Sequence, residues 1–127
     1  MSELQEINAF LRDCLKKHAK VLKPKTDSKE KFEVYGTIEA MQGKKKVDGF
    51  YFSTILSKPK DVRFYFFPLY THADQLVPTL SDELKKQLKG KTCFHMKNLN
   101  PALEKEIKAL VKKSVSLYQQ DGLLAKK

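Results

Sequence analysis

Apolar residues recur at every second position between Phe32 and Leu69, a period that is typical of β-strands with one buried face. Three segments carry the pattern, FEVYGTIEAM, VDGFYFSTILS and DVRFYFFPL. Lysine-rich stretches separate them, which predicts an antiparallel meander joined by short loops. A sheet with one strongly apolar face needs a second layer to cover that face.

Two amphipathic helices are predicted to supply the second layer. The first has apolar residues at helical spacing from Glu3 to Leu22 and is expected to end before Pro24, whose ring disfavours helical geometry in the residue before it. The last begins at Asn100-Pro101, an N-cap and first-turn pair, and runs to about Gln119.

A short helix and a fourth strand are predicted between the meander and the last helix. Ser81 is the expected N-cap of the short helix, and TCFHMK alternates with Phe94 and Met96 on the core side. The predicted fold class is α+β, a single two-layer domain over residues 1–127 with the order α-β-β-β-α-β-α. An antiparallel sheet of about four strands would carry the helices on one face.

The register of the meander decides which residues are core. A three-residue loop in each hairpin places the even-numbered residues, including Phe52, Leu56 and Phe64, on the apolar face. We therefore expect Phe52 to pack under the helices. Odd-numbered residues then form the second face, the one turned away from the helices, in the rows Glu39–Tyr51–Phe67, Thr37–Ser53–Tyr65 and Tyr35–Ile55–Arg63.

The second face is rich in tyrosine and is the predicted binding site. Apolar area with a few polar groups is the composition of ligand pockets and of protein interfaces. The fourth strand adds one histidine to this face and the loop after the third strand adds another. The candidate ligand-binding residues are Tyr35, Glu39, Tyr51, Arg63, Tyr65, Phe67, His72 and His95.

Composition bears on partners and location. A net charge of +10 permits attraction to nucleic acid, but of 25 basic residues only Arg12 and Arg63 are arginine, and the two lysine-rich hairpin loops would lie at opposite ends of the meander. The sequence therefore disfavours a nucleic-acid partner, and no apolar run approaches the roughly 20 residues of a membrane helix. We expect a cytoplasmic monomer or homodimer with a small anionic or aromatic ligand or a protein partner. The N-terminus lacks signal-peptide features, and Cys14 and Cys93 are expected to be free thiols.

Metal binding and catalysis are the alternatives to a binding module. His72, Asp74, Cys93 and His95 are metal-ligand types, but none belongs to a paired local motif. Cys93 and His95 are the nearby nucleophile and base, two residues apart on one strand. We predict no catalytic residue, no metal ligand and no cofactor. The alternatives are a metal-handling protein and a weak enzyme that uses Cys93 and His95.

Four stretches of the chain resemble the YdhG-like family: KFEVYGTIEA, GKKKVDGFYFSTI, VRFYFFPLYTH and LKGKTCFHMKNLNPALEKEIKALV. This family consists of small cytoplasmic domains of unknown function with a frataxin-like architecture, and the similarity covers about residues 30 to 120. The resemblance implies the α+β fold and no particular chemistry. Frataxins bind iron through an acidic ridge, whereas the acidic residues Glu3, Glu6 and Asp13 share the first helix here with the basic residues Arg12, Lys16, Lys17 and Lys20.

Overall fold

The computed structural model describes residues 3–126, and within this range eight strands and five α-helices are present. The strands are β1 Leu22–Asp27, β2 Lys31–Gly36, β3 Ala40–Gln42, β4 Lys45–Val47, β5 Tyr51–Ser57, β6 Val62–Phe66, β7 Leu88–Lys89 and β8 Cys93–Met96. The helices are α1 Glu3–Lys16, α2 Pro68–Thr71, α3 Ala73–Leu76, α4 Asp82–Gln87 and α5 Pro101–Gln120, with a 3₁₀ turn at Val77–Thr79.

The described strands form one six-stranded sheet, in the order β1-β2-β5-β6-β8-β7, and a separate two-stranded ribbon of β3 and β4. Every neighbouring pair in the large sheet is antiparallel. The α+β class is confirmed, but the prediction of about four strands in the order α-β-β-β-α-β-α is wrong. The sheet gains an edge strand on each side, β1 and β7, which the sequence pattern did not reveal.

Strand β1 replaces the end of the predicted first helix and the linker after it. Helix α1 ends at Lys16, and the chain turns through short-range bonds such as His18 N to Leu15 O before Leu22 pairs with Gly36. Pro24 lacks an N–H group, but an edge strand tolerates proline because one of its sides has no neighbour. The exposed lysines of β1 also discourage pairing with another chain.

A β-bulge in β5 corrects the predicted register. Strand β5 pairs with β2 through Val34↔Ser53 and then Tyr35↔Tyr51, so Phe52 is the extra residue. A bulge places two consecutive residues against one partner and changes the side-chain parity along the strand. Phe52 is fully buried with its ring 5.3 Å from that of Phe66, which confirms its predicted position.

The predicted register is wrong on both sides of β5. Ile55 pairs with Phe32 on β2 instead of Tyr35, because residues 37 to 50, with β3 and β4 among them, replace the predicted three-residue loop. The pairing of β5 with β6 is shifted by one residue. Ile55 pairs with Phe64 and Leu56 pairs with Arg63, because four residues, 58 to 61, connect β5 to β6 instead of three. Ile55 therefore enters the core, and Leu56 moves to the second face. Ser53, predicted on the second face, is also buried, and its hydroxyl donates to the carbonyl of Tyr65 at 2.7 Å.

Helices α1 and α5 pack on the apolar face of the sheet. Asn100 caps α5, its Oδ1 accepting from Leu103 N at 2.9 Å, and Ser81 caps α4 in the same way through Leu84 N. Leu124, beyond α5, is also buried and packs near Gly36, so the C-terminal segment contributes to the core. The predicted buried stripe of α5 is confirmed at Leu103, Ile107, Leu110, Val111, Ser114 and Tyr118.

None of the helices within residues 3–126 is long and apolar enough to cross a membrane.

Candidate functional site

The second face of the sheet, turned away from α1 and α5, carries three cross-strand rows of side chains. Most of these side chains are half-buried, as expected for a sheet covered on one side only. Strand pairing defines the rows as Lys23–Tyr35–Tyr51, Thr26–Glu33–Thr54–Tyr65–Cys93–Lys89 and Lys31–Leu56–Arg63–His95.

The first of these rows continues into a chain of aromatic rings, which we call the aromatic row: Tyr35, Tyr51, Phe67 and Tyr70. Consecutive ring centroids are 5.3, 5.5 and 5.6 Å apart. Strands β2 and β5 supply the first two rings, Phe67 is the N-cap of α2, and Tyr70 lies within α2. Tyr70 is the most exposed ring of the row, at 58%.

A lysine lies over each end of the aromatic row. The Nζ atom of Lys25 is 4.5 Å from the ring centroid of Tyr35, and that of Lys91 is 6.0 Å from Tyr70. Ammonium groups at such distances are attracted by the electron-rich face of the ring. The row is therefore an apolar strip that is bounded by positive charge.

Tyr51 is held in place by a hydrogen-bonded chain across β5 and β2. Its hydroxyl lies 2.6 Å from Thr54 Oγ1, which donates to Glu33 Oε2 at 3.1 Å, so the tyrosine is the donor to Thr54. Burial raises the pKa of Tyr51 to about 12, and burial together with the charge of Glu33 raises the pKa of Tyr35. Both residues are neutral phenols at physiological pH.

Arg63 and His95 meet at a buried carboxylate that the sequence reasoning missed. Arg63 Nε donates to Asp61 Oδ1 at 3.3 Å, and His95 Nδ1 is 3.6 Å from Asp61 Oδ2. The side chain of Asp61 is only 9% exposed. Asp61 stands at the start of a predicted strand, two residues before Arg63. Because residues i and i+2 share a face of a strand, this spacing could have indicated that the two side chains meet.

A cavity of about 250 Å³ adjoins this cluster at the β8 edge and is lined by Gln87, Lys89 and His95 among others. Gln87 Oε1 accepts from the backbone N–H of Lys97 at 3.2 Å, which fixes the orientation of the amide. Its Nε2 atom is buried and has no hydrogen-bond partner among the described residues. The cavity therefore offers an ammonium group and an imidazole beside the carboxylate of Asp61.

Cys93 and His95 lie on the second face, but their surroundings do not favour nucleophilic catalysis. Burial raises the pKa of the Cys93 thiol, whereas reactive cysteines need a lowered pKa. His95 faces the carboxylate of Asp61 through Nδ1. Cys93 therefore stays a thiol at neutral pH.

Two of the predicted site residues, Glu39 and His72, lie away from the second face. Strand β2 ends at Gly36, so Glu39 lies in the connection just before β3, where its Oε2 pairs with Lys46 Nζ on β4 at 2.8 Å. The chain after β6 forms the helix α2 instead of an extended loop, which directs His72 towards the end of α5. The His72 Nε2 atom is 2.6 Å from Asp121 Oδ2, and the buried ring packs on Tyr118.

The four candidate metal ligands are not brought together. His72 packs on α5, whereas Cys93 and His95 lie on β8 and Asp74 is on α3. No group of three or more His, Cys, Asp or Glu side chains in residues 3–126 is arranged to hold a metal ion.

A second cavity, of about 540 Å³, lies between α1 and the loops that follow β1 and β5. Arg12 borders it, but its guanidinium donates to Asn8 Oδ1, to Asp27 Oδ1 and to the carbonyl oxygen of Ser28. Asn8 Nδ2 donates in turn to Ser57 Oγ at 2.6 Å. Arg12 thus fastens the β1–β2 turn to α1, with its donors already engaged by the protein.

Comparison of the chain with models of known protein families, with curated proteins and with solved structures gave no match.

Proposed function

We propose that the chain is a non-catalytic binding module that uses the second face of its sheet to bind a small ligand or a protein partner. The aromatic row, bounded by Lys25 and Lys91, is the observation that carries the proposal. Aromatic side chains contribute large contact area at low cost in side-chain entropy, and contact sites are enriched in them.

The strand pairing and hydrogen bonds that hold the aromatic row in place also support the proposal. Tyr35 and Tyr51 stand on paired central strands, and the Tyr51 hydroxyl is anchored through Thr54 to Glu33. Binding residues on rigid strands lose little freedom when a ligand arrives, which favours affinity. The proposal includes the resemblance to the YdhG-like family and a cytoplasmic location, with which the free thiols Cys14 and Cys93 agree.

Fluorine NMR tests the proposal directly. Replacing the five tyrosines by 3-fluorotyrosine gives each a ¹⁹F resonance, assigned from single Tyr→Phe variants. In a screen of aromatic carboxylates and phosphonates, compounds that bind should shift the signals of Tyr35, Tyr51 and Tyr70. Tyr118, which lies on α5 and is fully buried against the sheet, is the internal control, and its signal should not shift.

Two matched variants separate binding from folding. Tyr70→Ala and Met41→Ala both remove an exposed apolar side chain, 58% and 54% exposed, but Met41 lies on β3, off the second face. Tyr70→Ala should weaken the binding of the active compounds, and Met41→Ala should not. Compounds that leave all face resonances unchanged and lose affinity on Asn8→Ala, in the 540 Å³ cavity, would disprove the proposal.

A further inference from the structure

The edge strands make the second face more basic than the sequence indicated. Strand β1 adds Lys23 and Lys25, and β7 adds Lys89. The central strands add Lys31 on β2 and Arg63 on β6, which are the two cross-strand partners of Leu56 on β5. Lys23 and Lys25 lie at the Tyr35 end of the aromatic row. Lys31, Arg63 and Lys89 lie in the neighbouring rows, among the carboxylates of Glu33 and Asp61.

Positive charge beside aromatic rings on an open sheet matches one ligand chemistry. Single-stranded nucleic acid presents the flat faces of its bases, which stack on aromatic side chains, and a phosphate backbone, which follows basic groups. Tyr70 offers an exposed ring, and at the other end of the row the ammonium of Lys25 lies over the ring of Tyr35. A double helix is disfavoured, because its stacked bases leave no ring face free and the flat sheet offers no helix to enter a groove.

The cavity at the β8 edge adds a place for a phosphate. Its lining holds the ammonium groups of Lys86, Lys89 and Lys97 and the ring of His95, together with one carboxylate, that of Asp61.

Taking the second face as the binding site, as proposed above, we infer that its ligand is single-stranded nucleic acid. The bases stack on the aromatic row, and the phosphates pair with the lysines of β1 and β7. Binding tolerates different sequences, because stacking and phosphate contacts do not read base edges.

Fluorescence anisotropy with 5′-fluorescein dT and rU oligomers of about twelve nucleotides tests the inference, since small single-strand-binding folds cover roughly 4–16 nucleotides. Affinity should fall with salt, with a logarithmic slope of about −0.7 for each phosphate neutralised. Tyr70→Ala and Tyr35→Ala should each weaken binding about 5- to 100-fold and leave the slope unchanged, because stacking is not ionic.

The charge variants make the opposite prediction. Lys25→Gln and Lys89→Gln should each reduce the steepness of the salt dependence by about 0.7. Lys105→Gln removes an exposed lysine from α5, in the other layer, and should change neither affinity nor slope. Met41→Ala should also bind with the affinity and salt dependence of the unsubstituted protein.

Four outcomes would overturn the inference. They are no binding of either oligomer, equal binding of a duplex of the same length, an equal loss of affinity in Lys105→Gln and Lys25→Gln, and a concentration-dependent dimer in sedimentation that Tyr70→Ala abolishes. If the first is found while small compounds still shift the fluorotyrosine signals, the proposed function stands and only the nucleic-acid assignment fails.

Discussion

Alanine substitutions at Ile55 and Leu56 should differ strongly in their effect on stability, because the bulge at Phe52 turns Ile55 to the core and Leu56 to the second face. Ile55 is fully buried between Phe32 and Phe64. Leu56 lies between Lys31 and Arg63 on the second face and is half-buried. The unbulged register predicts the reverse order.

The magnitudes follow from burial. Ile55→Ala removes a fully buried side chain and leaves a cavity under α1 and α5, which costs about 2–5 kcal/mol of unfolding free energy. Leu56→Ala removes a half-exposed side chain without forming a cavity, and should cost about 1 kcal/mol. At roughly 3–5 °C per kcal/mol for a chain of this size, the melting temperature should fall by about 6–25 °C for the first and about 3–5 °C for the second.

Urea unfolding and thermal melts followed by circular dichroism measure both variants. The urea m-value should stay constant, so that the shift in midpoint reports stability alone. If Leu56→Ala proves as destabilising as Ile55→Ala, the bulge is wrong, and with it the composition of the second face.

Two further predictions concern histidines. His72→Ala should lower the unfolding free energy measured in urea by about 1–3 kcal/mol, because the buried ring contacts Tyr118 and its nitrogens bond to Thr71 and Asp121. Unchanged stability with weakened ligand binding would instead place His72 in the binding site. Burial, with the charge of Lys17 and Lys112, lowers the pKa of His18, so the unfolded chain takes up a proton at a higher pH than the folded one. Unfolding free energy should therefore decrease as pH falls below about 6.5, and His18→Gln should flatten this decrease; an equal slope in both proteins would contradict the assignment.

Part of the candidate site follows from the local sequence pattern, and part depends on how the strands pair. Tyr51 and Tyr65 were placed on the second face from alternation alone, and they lie there. Glu39 was placed beside Tyr51 by extending β2 too far, since nothing local indicates that β2 ends at Gly36 and that a separate ribbon follows. Asp61 was missed because its importance depends on Arg63 and His95, which come from two different strands.

The sequence by itself determined the α+β class, the caps at Ser81 and Asn100 and the buried stripe of α5. These features depend on hydrogen bonds and side-chain spacing within a few residues, which the order of amino acids displays directly. The tertiary structure alone decided β1, the bulge at Phe52 and the lysines that join the second face. Strand pairing depends on partners distant in the chain: LKPKTD has no alternation to mark it as a strand, and it becomes one because Leu22 enters the core beside Gly36.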